Sequence, residues 1–168
     1  AWGRRGTACN IEASFTPDSS ALYTLIAAAD INGFVPEMCD LVFKQPDTDP
    51  TCGTVDTVRF HQWVDDFLIP GLGRVENNEA RSIVVIDNAS IHTHPWFVRA
   101  VEAAGAMVLF LPPFSPDFQP IELCFQLYKS VLKRHSYLAN ADPRFVHDAA
   151  IRSVSSTSMR NLVSLDPS

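Results

Sequence analysis

Residues 82–95 read SIVVIDNASIHTHP, and this stretch carries the fold assignment. Ile83 to Ile86 is a short, continuous apolar run rich in β-branched side chains. That pattern predicts a central strand covered on both faces. The run ends on a carboxylate, Asp87, followed by Asn88 and then by His92 and His94. A strand-ending aspartate taken alone is as well explained by a turn or a helix cap as by chemistry.

Moving outward, Phe97, Ala100, Val101 and Ala104 recur at helical spacing until Gly105. MVLFL, residues 107–111, then reads as a second buried strand. A strand–helix–strand unit of this length implies parallel strands and a right-handed crossover. Upstream, Phe60, Trp63, Val64, Phe67 and Leu68 predict a helix that stops at IPGLG, residues 69–73. Before it, residues 44–54 are a Pro/Asp/Thr/Gly-rich loop. Residues 21–39 read as two strands joined at Asn32-Gly33, the second ending early or lying at an edge because of Pro36. Downstream, PPFSPDFQP (112–120) is a stiff loop, and a helix starts at Pro120 with the stripe Ile121, Cys124, Phe125, Tyr128 and Leu132. After Asp142 the chain reads as helix, then as a Ser-rich, weakly specified tail over 153–168. The whole order predicts an α/β protein, a mixed sheet with helices on both faces, in a single domain of 168 residues.

The composition is that of an ordinary globular protein, 46% hydrophobic and 19% charged. A net charge of −6 argues against nucleic-acid binding by bulk charge, which needs clustered Lys and Arg. Cys9, Cys39, Cys52 and Cys124 are scattered, the spacing of buried free thiols in a reducing compartment. No apolar run approaches the ~20 residues that span a bilayer, so no membrane association is expected.

Asp87 gains meaning from Glu122. On the helix from Pro120, Glu122 shares a face with Gln126, Lys129 and Lys133, opposite the apolar stripe. In the first turn the helix dipole favours its ionised form, although a capping box places a Glu there too. Two ionised carboxylates, one from a strand end and one from a helix, suit a hard divalent cation, Mg²⁺ or Mn²⁺. A pair of such ions supports phosphodiester cleavage, and Lys129 and Lys133 would steer a phosphate backbone.

VVIDNASIH (84–92), followed by LFLPPFSPDFQPIELCF (109–125), resembles the catalytic core of the mariner-type DDE transposases. The 34 residues from 88 to 121 between the two acids equal the interval of the Glu-bearing branch of that superfamily. AWGRRG (1–6) and ALYTLIAAADINGFV (21–35) resemble its earlier segments in the same order. The resemblance implies a ribonuclease H-like fold whose second and third metal-binding acids are Asp87 and Glu122. Asn88 and His92 then fall at polar positions on the site rim, with Lys129 and Lys133 toward nucleic acid. Gln119 stands where that family usually has Asn. The first catalytic Asp belongs on a strand ahead of Trp2; Asp18, Asp30 and Asp40 do not fit it, so the chain reads as a fragment lacking that strand and inactive alone. The implied function is a metal-dependent DNA endonuclease and strand-transfer core acting on transposon ends. A homodimer is among the expected assemblies, and the expected location is intracellular: nuclear in a eukaryote, cytoplasmic otherwise.

The competing reading is a transposase-derived module that binds or interacts without catalysis. A dinucleotide enzyme is disfavoured by the absence of a GxGxxG loop. His92 and His94 lack partners at zinc spacing and read as surface or rim residues, while His61, His135 and His147 read as surface or helix-end residues. Trp63, Phe67, Phe97 and Phe125 read as core. Asp65 and Asp66 read as a solvated face, and Arg4-Arg5 is weak evidence for a DNA contact.

Overall fold

The computed structural model describes residues 22–44, 55–112, 121–135 and 142–154. The expectations for AWGRRG, most of the 44–54 loop, Gln119, Pro120 and the tail from 155 lie outside the described residues. In chain order the elements are β1 (Leu22–Ile26), β2 (Ala29–Asp30), β3 (Gly33–Phe34), β4 (Asp40–Lys44), α1 (Thr57–Trp63), β5 (Ile83–Ile86), α2 (Pro95–Ala103), β6 (Met107–Phe110), α3 (Ile121–Arg134) and α4 (Pro143–Ser153). They fall into two compact units, one containing α1 to β6 and the other containing β1 to β4 with α3 and α4.

In the first unit, α1 starts where the Asp56 side chain accepts the Arg59 N–H at 2.8 Å, an N-cap. Its end widens over Val64–Leu68, where the Ile69 N–H reaches back to the Val64 carbonyl, and tightens again over Ile69–Gly71. The helix buries Phe60, Trp63, Val64 and Leu68. β5 and β6 pair in parallel, Ile83 opposite Met107 through Ile86 opposite Phe110, with α2 between them in the chain. Phe97 and Val101 of α2 are completely buried. Gly105 ends this helix at φ +90°, and a Cβ there would lie 2.9 Å from Arg74 Cγ. Both constraints select glycine.

The strand–helix–strand unit is as expected, but the strands are not covered on both faces. Ile83, Val85, Met107 and Leu109 are 46–52% exposed, while Val84, Ile86, Val108 and Phe110 are half-buried. A β-branched run looks alike whether one or two faces are covered, and here the accessibility alternates with the period of two that strand geometry imposes.

In the second unit the Asn32-Gly33 turn forms as read. The Asn32 N–H donates to Asp30 Oδ1 at 2.7 Å, and Gly33 takes φ +113°. The strand after it, β3, ends early at Phe34, as Pro36 suggests, but the limb does not stop there. It breaks for one 3-10 turn, Pro36–Met38, and resumes as β4, a strand the sequence did not reveal. Proline has no N–H for the ladder, so the hairpin is interrupted there. β1 then pairs antiparallel with β4, Ile26 opposite Asp40, outside the short β2–β3 pair. Among the described residues the strands therefore form three two-stranded sheets, not one mixed sheet.

α3 buries Cys124, Phe125, Tyr128 and Leu132, the predicted stripe, in a cluster with Leu25 and Phe34. α4, capped by Asp142 on the Phe145 N–H at 3.1 Å, adds Val146, Ala150 and Ile151. His147 is buried as well, which corrects the surface reading. Its Nδ1 hydrogen-bonds the Tyr128 hydroxyl, and its ring lies 4.7 Å from that of Tyr23. A histidine on an apolar stripe is hidden whenever a buried partner takes up its polar atom, and that partner is 19 residues away. Cys39 and Cys124 are free thiols whose burial pushes their pKa values up to about 12 and about 11.

Candidate functional site

Asp87 leaves the carboxyl end of β5, the end at which α/β sheets present ligand-binding groups. Its backbone turns immediately, because Oδ1 accepts the Ala89 N–H at 3.0 Å. The Ala89 carbonyl then accepts both the His92 and the Thr93 N–H, at 2.9 and 3.0 Å. This compact turn brings His92 back over the acid. Its Nδ1 sits 2.6 Å from the same Oδ1. Two lone pairs cannot face each other at that distance, so one proton lies between them.

The hydrogen bond to His92 is the largest influence on Asp87 and holds its carboxyl below the usual carboxylate range. Partial burial opposes this, and the Ala89 N–H adds to it. Asp87 is therefore an ionised group with Nδ1–H of His92 donating to it. The His92 ring is buried against Phe60 of α1, with centroids 5.1 Å apart, and Phe60 in turn meets Phe97 of α2 at 5.6 Å.

Asn88 points to the neighbouring strand end. Its Nδ2 donates to the Leu111 carbonyl, and the Leu111 N–H donates to the Ile86 carbonyl at 2.9 Å. The first residue after β6 is thus tied on both sides to the segment that carries Asp87. His94 does something else. It caps α2, with Nδ1 accepting the Trp96 N–H at 3.2 Å, and Trp96 stacks on His61 at 3.9 Å.

Glu122 belongs to the other unit, in the first turn of α3, and is half-buried. Lys129 and Lys133 are exposed on the same helix, away from its buried stripe. The structure thus gathers Asp87, Asn88 and His92 in one place and arranges Glu122, Lys129 and Lys133 along one helix. Sequence reasoning named all six but missed Phe60, whose ring backs His92. It also missed the Asn88 tie to Leu111. An aromatic on an apolar helix stripe carries no sign of which polar side chain it backs.

The donor chemistry at Asp87 fits a hard cation. Oδ1 is engaged twice, and among the described residues nothing donates to Oδ2. A carboxylate oxygen of this kind is what Mg²⁺ or Mn²⁺ takes. Among the described residues, no three His, Cys, Asp or Glu side chains converge as a ready-made metal cage. No described helix is long and apolar enough to cross a membrane.

A family model described as DDE superfamily endonuclease matches residues 50–143, more than half of the chain. The matched span includes Asp87, Asn88, His92, Glu122, Lys129 and Lys133. A comparison with curated proteins found no match.

Proposed function

We propose, for a chain that belongs to the DDE superfamily endonucleases, that it is the metal-dependent DNA cleavage and strand-transfer core of a transposase on a ribonuclease H-like fold. The observation that carries this reading is the Asp87 carboxylate. It is ionised at the end of a parallel strand, with one oxygen committed to the protein and the other open among the described residues. Asp87 and Glu122 hold Mg²⁺ or Mn²⁺ in this proposal. When bound, such an ion supplies activation of a water or hydroxyl and charge stabilisation at the leaving oxygen.

The remaining roles follow from the side chains. Lys129 and Lys133, exposed about two and three turns beyond Glu122 on α3, hold the phosphate backbone. Asn88 fixes the exit of β6 against the Asp87 segment. The substrate is DNA, the transposon ends of the parent protein, and two copies acting together suit reaction at two ends. In a eukaryote the site of action is the nucleus.

Mn²⁺ titration by calorimetry on this chain and on Asp87→Asn and Glu122→Gln tests the reading. Each substitution removes one anionic ligand and should weaken Mn²⁺ by about tenfold or more. Affinity indifferent to both changes would refute the metal site and favour the non-catalytic module.

A further inference from the structure

We infer that His92 is a positioning residue for Asp87, fixing it as a ligand through Oδ2 alone; this rests on the metal-site reading above. An ionised carboxylate has about four lone-pair sites, about two on each oxygen. Oδ1 has both of its own filled, by the Ala89 N–H at 3.0 Å and by His92 Nδ1–H at 2.6 Å. The carboxylate cannot rotate to offer both oxygens to a cation without breaking a charge-assisted hydrogen bond, the strong kind. Oδ2 is left as the metal-facing atom.

Three features make His92 a rigid support and not a chance neighbour. Its backbone is held by the Ala89 carbonyl, which fixes the five-residue step from the acid to the ring. The ring is buried and tilted at 45° against Phe60, so it has little freedom to swing. Phe60 is itself 3% exposed in the α1–α2 core, so the aim of the acid is set by the packing of the unit and not by the loop alone. Partners of this kind, one shell out from a metal, hold ligand orientation and tune affinity.

Two substitutions separate this role from simple packing. His92→Phe keeps a ring against Phe60 but has no donor for Oδ1. His92→Asn loses the ring but places an amide N–H near the position of Nδ1. Mn²⁺ affinity, read from the EPR signal of the free ion, should fall about 10–100-fold in His92→Phe. It should stay within a few-fold of the parent in His92→Asn. A packing role predicts the reverse order, and that order would overturn the inference.

If His92→Phe does not fold, His92→Ala takes its place beside His92→Asn, since both lack the ring and only Asn has the donor. Equal affinities in that pair would overturn the inference. Asp87→Asn is measured alongside. Loss of Mn²⁺ binding there, with no effect of the His92 changes, rejects the positioning role and leaves the metal site standing. No effect of Asp87→Asn rejects the site itself, and the role with it.

Discussion

Acid should loosen the second unit through His147. The imidazole is 5% exposed, its Nδ1 is bonded to the Tyr128 hydroxyl, and the Tyr23 ring lies 4.7 Å away. Burial pulls its pKa from 6.5 down to about 4, with Asp148 beside it opposing the change. Burial raises the Tyr128 hydroxyl, so the pair is neutral on both sides at pH 7. The sign follows from proton uptake. Below pH 6.5 the unfolded chain protonates His147 while the folded chain does not, so stability falls with pH until about 4 and then levels. At 1.36 kcal/mol per pK unit the full effect is about 3 kcal/mol, most of it reached by pH 4.5. Carboxylates titrate over the same range, so the measurement is a difference. Urea unfolding at pH 7.5 and 4.5 is compared between the parent and Tyr128→Phe/His147→Leu, which removes both polar groups and leaves no orphan. Hydrogen exchange of the α3 and α4 amides is the readout, because Trp63 and Trp96 lie in the other unit. The parent should lose about 2–3 kcal/mol more than the double variant, a shift of about 1–2 M in urea midpoint. Parallel losses in the two proteins would refute the assignment of His147 as a buried neutral base.

Two further outcomes test other levels. Gly105→Ala forces a side chain onto a residue at φ +90° with Arg74 Cγ 2.9 Å from the new Cβ, and should cost about 1–3 kcal/mol in the first unit, read by tryptophan fluorescence in urea. Lys129→Gln with Lys133→Gln should weaken binding to DNA of any sequence and reduce the slope of log K against log salt by about 1–2, measured by fluorescence anisotropy across a salt series.

Much of the architecture was legible because it depends on local pattern. The apolar run to Ile86 forms a strand, and the stripes from Phe97 and from Cys124 to Leu132 form helices, each element of the type its local pattern states. What failed needed knowledge of partners. β4 was missed because Pro36 looks like an end, and only the register of β1 against Asp40–Lys44 shows the hairpin resuming. The coverage of Ile83 and Val85 was overestimated because β-branched side chains suit a strand whether one face or two are packed. His147 was placed at the surface because its satisfaction depends on Tyr128, on a different helix.

The candidate site divides along the same line. Asp87, Asn88 and His92 could be named from nine consecutive residues, because an acid that turns back on itself and a histidine five positions later are properties of one loop. Their separate tasks could not. His92 was read as rim, yet it is buried and its ring is aimed by Phe60, a residue 32 positions earlier. Asn88 was read as a site-rim residue; it is exposed, and its Nδ2 also donates to the Leu111 carbonyl just past the adjacent strand, a tie the sequence did not reveal. A polar side chain next to a catalytic acid can serve the substrate or the scaffold, and the two leave the same letter in the sequence. Here His92 is buried against Phe60, while Asn88 is exposed with its amide tied to the Leu111 carbonyl. In the proposed reading, the groups that would hold a phosphate backbone are the exposed lysines of α3, Lys129 and Lys133, which carry the charge and the exposure for it.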